Sequence, residues 1–225
     1  MRFTSRGVFV LVAVFLMSAI AVSAASAATL PEFKPVPSNR KLTSTSGKLT
    51  FTYGSEKITC AKSTAAGEVT TAKTVGKLVL KLTGCETAGA GGRGCPLRSE
   101  NTSTAGEIVT SSLDGELGTV ASSEAASGVG LLLKPESGKT WAELAENGCT
   151  PETNWTGTLA AEVATIGKKQ ATNKLVISDP SGVQKIRAIT VDSGKAEKPQ
   201  FLMWTVAVAL EATDELAFAE ALEVT

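Results

Sequence analysis

Histidine is absent from all 225 residues of this chain. Its absence excludes the Ser-His-Asp and Cys-His catalytic groups and removes the commonest metal ligand. Aromatic residues make up only 5% of the chain, with a single tyrosine, so we expect a mainly aliphatic core. Lysine and arginine number 22, as do aspartate and glutamate, and this balance gives no electrostatic reason to expect nucleic acid as a partner.

Long apolar runs are also lacking, except at the N-terminus, where the pattern is that of an export signal. Arg2 and Arg6 precede the apolar residues 8–22, and Ala25-Ser26-Ala27 is a typical cleavage site. The run is shorter than the roughly 20 apolar residues of a membrane-spanning helix. We therefore expect a signal peptide over residues 1–27, a secreted protein that is extracellular or associated with the cell wall, and no membrane span after cleavage.

The remaining chain has the pattern of an all-β protein. Residues 28–47 are polar and rich in proline, which predicts an extended leader outside the core. Beyond them apolar and polar residues alternate, as in residues 48–53, and a period of two is typical of half-buried strands. We predict one antiparallel β-sandwich or barrel-like domain over residues 48–225, with about 10–13 short strands. Residues 214–225 fit either a strand or a short helix, and we predict a strand.

Four cysteines lie in the predicted mature chain, at Cys60, Cys85, Cys95 and Cys149. An even number in an exported protein predicts two disulfides, and the spacing contains no zinc-binding pair. The glycine-rich residues 88–94 favour Cys85 with Cys95, nested inside Cys60 with Cys149. The sequential pattern, Cys60 with Cys85 and Cys95 with Cys149, differs from it by only ~0.4 kcal/mol in the free energy of loop closure, so the connectivity stays open.

Six short motifs lie along the middle of the chain. They are Ile58-Thr59-Cys60, Gly67-Glu68-Val69-Thr70, Thr83-Gly84-Cys85, Gly106-Glu107-Ile108-Val109-Thr110, Leu113-x-Gly115-x-Leu117-Gly118 and Val129-Gly130-Leu131-x-Leu133-x-Pro135. In these motifs the chain resembles a group of secreted actinobacterial proteins of unknown function, over roughly residues 47–149. The resemblance implies secretion, Thr/Gly-rich strands and paired cysteines, and it implies no activity.

Paired carboxylates are the one catalytic arrangement that the sequence leaves open. Ala-Gly-Glu occurs twice, ending at Glu68 and Glu107, and it is typical either of a turn that opens a strand or of a two-carboxylate site. Glu143 and Glu162 are a second possible pair. A glycosidase-like exoenzyme needs both members of such a pair in one cleft.

Other motifs match known sites only in part. The S-x-x-K match from Ser38 lies in the leader, the G-x-G-x-x-G match from Gly89 precedes no predicted helix, and Ser137-Gly138-Lys139-Thr140 lacks the first glycine of a phosphate loop. We interpret the last as a turn. The sequence therefore predicts no enzyme, no cofactor and no metal site.

The function predicted is that of a secreted, non-catalytic β-domain, structural or binding a cell-wall glycan or a surface protein. Its candidate ligand contacts are Trp141, Trp155 and Trp204, because exposed indole rings offer flat faces to sugars. Each of them also fits the core, where tryptophan is usually found. The alternative is a carboxylate-based exoenzyme.

Overall fold

The computed structural model of the chain describes residues 29–36, 40–88, 94–121, 124–145, 152–178 and 182–225. The predicted signal peptide, most of the glycine-rich segment and Cys149 lie outside the described residues. The described residues form strands and no helix, so this part of the chain contains no long apolar helix of the kind that crosses a membrane.

The strands have the following bounds, in chain order. They are β1 Phe33–Lys34, β2 Arg40–Ser46, β3 Leu49–Tyr53, β4 Glu56–Cys60, β5 Lys62–Val69, β6 Thr74–Thr83, β7 Glu86–Ala88, β8 Gly94–Pro96, β9 Glu107–Val109, β10 Leu113–Val120, β11 Val129–Pro135, β12 Thr140–Leu144, β13 Thr153–Gly157, β14 Leu159–Val163, β15 Gln170–Ile177, β16 Ile189–Thr190, β17 Ala196–Glu197, β18 Phe201–Met203, β19 Val206–Ala207 and β20 Ala209–Val224. They exceed the predicted number because several are only two or three residues long. The predicted strand over residues 214–225 is confirmed as part of β20.

Eight of these strands pair antiparallel in chain order and close into a ring. β2 pairs with β5, β5 with β6, β6 with β10, β10 with β11, β11 with β14 and β14 with β15. The last strand, β20, pairs with both β15 and β2. The prediction of an antiparallel, barrel-like all-β fold is therefore confirmed.

Side chains fill the interior of this ring, because alternate residues of each strand point inwards. Leu78, Leu117 and Leu131 contribute to this core, as do Leu216 and Phe218. The interior cavity that remains has a volume of about 40 Å³. That volume is far below the ~300 Å³ of a typical ligand pocket, so the interior is a packed core.

The predicted leader is corrected by the structure, because two parts of it are strands of the sheet. β1 pairs Phe33 with Val224 of β20, and Phe33 is only 2% exposed. β2 lies between β5 and β20 and buries Leu42. Without β2 the ring would have two unpaired edges, which folded proteins avoid. The ordered domain thus begins before residue 48.

Two smaller sheets adjoin the ring. The N-terminal end of β20 leaves the ring and pairs with β3, and the sheet continues through β4, β7 and β8. A separate four-stranded sheet has the order β12-β13-β18-β19. Its inner face packs against Phe51 of β3, whose ring centroid lies 4.5 Å from that of Trp155. One core therefore joins the ring and the four-stranded sheet.

The nested disulfide pattern that the sequence favoured is wrong. Cys60 is bonded to Cys85, because the strand pairs Thr59–Glu86 and Lys62–Thr83 bring the two cysteines together. The glycine-rich segment does connect two paired strands, β7 and β8, but their register places Cys95 opposite Thr87. Cys95 is disulfide-bonded as well.

Candidate functional site

The four-stranded sheet has one face in the core and one face towards solvent. Along β13, Thr153 and Trp155 are buried whereas Asn154 is exposed, as expected when alternate side chains point to opposite faces. The strand register places Glu143 beside Asn154 and Thr156 beside Leu202. We call Glu143, Asn154, Thr156, Leu202 and the adjacent Trp204 the outer face.

Trp204 is the exposed aromatic residue of this face. The pairs Leu202–Ala207 and Met203–Val206 leave Trp204 as the first residue of a two-residue hairpin turn. Its φ is 55°, a left-handed conformation that favours glycine at this position of a turn. Two hydrogen bonds of 3.3 Å hold it, from its backbone N–H to Asn154 O and from its indole N–H to Glu152 O.

Trp204 is 47% exposed although its backbone conformation is costly for a bulky residue. Such strained residues are concentrated at functional sites, where the surrounding structure maintains them. The hydrogen bonds to β13 and to Glu152 therefore hold a rigid aromatic surface at the edge of the outer face.

The other two predicted tryptophan contacts belong to the core. Trp141 is 3% exposed and Trp155 is 1% exposed, and both pack against Phe201. The indole N–H of Trp141 donates to Gly157 O at 2.7 Å, whereas Trp155 Nε1 has no hydrogen-bond partner within the described chain. Neither ring offers a face to solvent, so Trp204 is the exposed member of the three.

Three carboxyl groups lie at one end of the outer face, on Glu100, Glu143 and Glu152. The backbone N–H of Glu100 donates to Glu143 O at 2.8 Å, so Glu100 and Glu143 are neighbours. Desolvation raises the pKa of Glu100, and the charges of Glu152 and Glu143 raise it further. We call these three residues the carboxylate cluster.

A cleft of about 570 Å³ lies beside the edge strand β12. Glu100 and Glu143 line it, together with Ser111 and Lys139. The bend that includes Gly138 and Lys139 forms one wall, which agrees with the turn predicted for this motif, and Gly138 has a φ of 69°. The volume is within the ~300–1,000 Å³ range of small-molecule sites.

Glu68 and Glu107 lie far from each other, and neither lines this cleft. Along β6, Glu68 lies opposite Gly76 and Glu107 opposite Thr83, and these seven positions correspond to about 23 Å. Each glutamate instead forms a salt bridge, Glu68 with Lys77 at 2.6 Å and Glu107 with Lys81 at 2.7 Å. Hydrogen bonds from Lys81 and Thr102 lower the pKa of Glu107.

The glycines before these two glutamates have different structural roles. Gly106 has a φ of 78° in the turn before β9, as the turn interpretation predicts. Gly67 lies within β5 at an irregularity of the strand register, where a Cβ atom would lie 3.0 Å from Gly76 O. The first copy of the motif is therefore a strand irregularity and the second a turn.

Glu162 has partners of its own, apart from the carboxylate cluster. Its carboxylate accepts hydrogen bonds from the backbone N–H groups of Ala126 and Ser127, and Lys185 lies 3.4 Å away. These contacts anchor the loop before β11. The structure therefore does not bring Glu162 together with Glu143.

Sequence reasoning did not identify Glu100 or Glu152 as site residues. Glu100 is joined to β12 through an isolated bridge between Ser99 and Leu144, and Glu152 reaches the cluster through the pairing of β12 with β13. Both contacts depend on long-range register, which leaves no local pattern in the sequence.

Within the described part of the chain, no group of three or more His, Cys, Asp or Glu residues could hold a metal ion. Comparisons with protein-family models, curated proteins and solved structures find no match for this chain.

Proposed function

We propose that this chain is an exported, non-catalytic β-domain that binds an extracellular glycan through its outer face, with Trp204 as the principal contact. The observation that carries the proposal is the exposed, rigidly held indole of Trp204 at the edge of that face. An indole ring is flat and apolar, and it stacks on the apolar face of a sugar ring while excluding water from both.

The neighbours of Trp204 suit the polar rim of a sugar. Asn154 and Thr156 alternate with core residues and therefore present an amide and a hydroxyl on the outer face. Both groups donate and accept hydrogen bonds, and sugar hydroxyls also do both. An aromatic platform beside such groups combines apolar stacking with hydrogen bonds that orient the ring.

Export is supported by the N-terminal pattern, by the resemblance to secreted actinobacterial proteins and by the Cys60–Cys85 disulfide. Disulfides persist in oxidising compartments and are rare in the cytosol of mesophiles. Intact-mass measurement of the exported protein is expected to give an N-terminus near Ala28. Retention of residues 1–27 would contradict this part of the proposal.

The proposal is tested by binding of the mature chain, residues 28–225, to polysaccharides in affinity electrophoresis. Trp204→Ala is expected to weaken binding by about tenfold or more, the loss typical of a stacked aromatic contact. Val79→Ala is the matched control, because Val79 is another exposed apolar side chain and lies on β6. Unchanged binding by Trp204→Ala, or equal losses in both variants, would overturn the proposal.

A carboxylate-based exoenzyme is the second candidate, and the raised pKa of Glu100 in the cleft favours it. A general acid needs such a shift. Glu143 lines the same cleft and is exposed, so it would be the second carboxylate of such a pair. Release of reducing sugar by the wild type, lost in Glu100→Gln and in Glu143→Gln, would establish the enzyme in place of the binding domain.

A further inference from the structure

We infer that the cavity inside the ring is a binding site for water, which Ser44, Asn173 and Asp214 hold by hydrogen bonds. The bound water solvates the carboxyl group of Asp214 inside an otherwise mainly apolar interior. The inference concerns the interior of the ring and is independent of glycan binding at the outer face. It follows from the size of the cavity and from the three polar side chains that line it.

The cavity is large enough for water and too small for an organic ligand. Its volume is about 40 Å³, which exceeds the roughly 30 Å³ that one water molecule occupies in the liquid. Size alone does not fill a cavity, because apolar cavities several times larger stay dry. A buried water needs polar partners, typically about three of them.

Asp214 is the acidic group in the wall of this cavity. Its Oδ1 accepts hydrogen bonds from the hydroxyl groups of Ser44, at 3.3 Å, and Ser63, at 3.2 Å. An ionised carboxylate accepts up to about four hydrogen bonds, so it can accept more than these two serines provide. Within the described part of the chain Asp214 forms no salt bridge. Burying such a group is costly unless further donors reach it.

Asn173 brings a hydrogen-bond donor to the same cavity. It is only 4% exposed, and its Oδ1 accepts the backbone N–H groups of Thr165 and Lys174. Its Nδ2 donates to Thr165 O at 2.8 Å, and these contacts fix the orientation of the amide. A side-chain amide carries two N–H groups, and this hydrogen bond uses one of them. The other N–H can donate to a water in the cavity.

Strand register places the three polar groups around one region of the interior. Leu216 of β20 pairs with Ser44 of β2 and with Asn173 of β15. Asp214 lies two residues before Leu216 and therefore on the same face of β20. Diagonal neighbours on paired strands are about 7–8 Å apart, a span that short polar side chains bridge through water. A water there accepts from Asn173 and donates to Asp214 and Ser44.

The test is an NMR measurement of cross-relaxation between water and the mature chain, residues 28–225, labelled with ¹⁵N and ¹³C. Cross-peaks to water are expected at the side-chain amide of Asn173 and at the methyl groups of Leu117 and Leu131, which also line the cavity. Their sign should be that of a water that tumbles with the protein, unlike the rapidly exchanging water at the surface. Absence of these cross-peaks would overturn the inference.

Two alanine substitutions on β5 form a matched pair. Ala65 lines the cavity, whereas Ala66 is exposed on the opposite face of the strand. Ala65→Val adds two carbon atoms beside the cavity without removing a polar group, and it is expected to abolish the cross-peak at Asn173. Ala66→Val is expected to keep it. Persistence of the cross-peak in Ala65→Val, or its loss in both variants, would overturn the inference.

Ser44→Ala distinguishes bound water from a hydroxyl proton that exchanges with solvent and relays the signal. This substitution removes the hydroxyl group of Ser44 but leaves the cavity open and keeps Asn173 and Asp214 as partners. The cross-peak at Asn173 is expected to remain, and its loss would assign the signal to the hydroxyl group and overturn the inference. The spectra of the wild type and of Ser44→Ala decide the matter if Ala65→Val does not fold.

Discussion

Trp141 and Trp155 belong to the same buried aromatic cluster, but they differ in whether the indole N–H has a hydrogen-bond partner. Both are buried, and their ring centroids lie 5.1 Å and 5.8 Å from that of Phe201. Trp141 Nε1 donates to Gly157 O at 2.7 Å, whereas Trp155 Nε1 has no partner among the described residues. Replacing each with phenylalanine removes the same atoms, but only Trp141→Phe breaks a hydrogen bond.

The apolar and cavity contributions are similar for the two substitutions and largely cancel in their difference. Trp141→Phe loses a hydrogen bond that contributes about 1 kcal/mol to stability. Trp155→Phe removes an unpaired buried donor whose desolvation costs about 1–3 kcal/mol. The free energy of unfolding of Trp155→Phe is therefore expected to exceed that of Trp141→Phe by about 2–4 kcal/mol. For a domain of this size the corresponding difference in Tm is about 5–15 °C.

The measurement is thermal and urea unfolding followed by far-UV circular dichroism, because each substitution removes a fluorophore. Trp204→Phe serves as the control, since Trp204 is exposed and its loss leaves the aromatic cluster intact. Equal midpoints for the two buried variants, or a lower midpoint for Trp155→Phe, would refute the assignment of the unpaired indole.

Three further predictions concern charge, connectivity and backbone. Burial raises the pKa of Asp214 despite hydrogen bonds from Ser63 and Ser44. The folded protein therefore binds the proton of the Asp214 carboxyl group more tightly than the unfolded chain does, and its stability rises as the pH falls through that pKa. Asp214→Asn is therefore expected to stabilise the protein at pH 7 by about 1 kcal/mol, with a smaller gain at pH 4, as measured by urea unfolding; destabilisation at pH 7 would contradict it. Non-reducing peptide mapping is expected to give Cys60 with Cys85 and Cys95 with Cys149, and a Cys85–Cys95 peptide would disagree with the strand register. Gly157→Ala is expected to lower the free energy of unfolding by about 2 kcal/mol or more, because Gly157 has a φ of 95° and an added Cβ would overlap Gln200 O. Gly138→Ala is the control, since φ is 69° there and the space is open, and it should lower that free energy by about 1 kcal/mol. Equal losses in the two variants would show that backbone strain, and not the overlap with Gln200, sets the cost at Gly157.

The fold class was determined by the sequence because strand formation depends on a local period. Alternation such as that in residues 48–53 places one set of side chains on each face of a strand, and this requires no knowledge of the partner strand. The same reasoning identified the C-terminal strand, where Leu216, Phe218 and Leu222 are all buried. The absence of histidine likewise excluded whole classes of catalytic machinery, because composition does not depend on how the chain folds.

The pairing of distant segments was decided only by the tertiary structure. Residues 40–46 look like a polar leader in isolation, and they become a strand because the ring needs a partner between β5 and β20. The disulfide pattern was open because loop entropies differ by only ~0.4 kcal/mol, whereas strand register places Cys60 beside Cys85.

The candidate site follows the same rule. Glu100, Glu143 and Glu152 are separated in sequence, and a bridge and a strand pair bring their parts of the backbone together. The sequence identified Trp204 as one of three candidate contacts but could not separate it from Trp141 and Trp155. Burial separated them, and burial depends on which face of the four-stranded sheet meets the ring. Local periodicity therefore determined the strands, and long-range register determined the site.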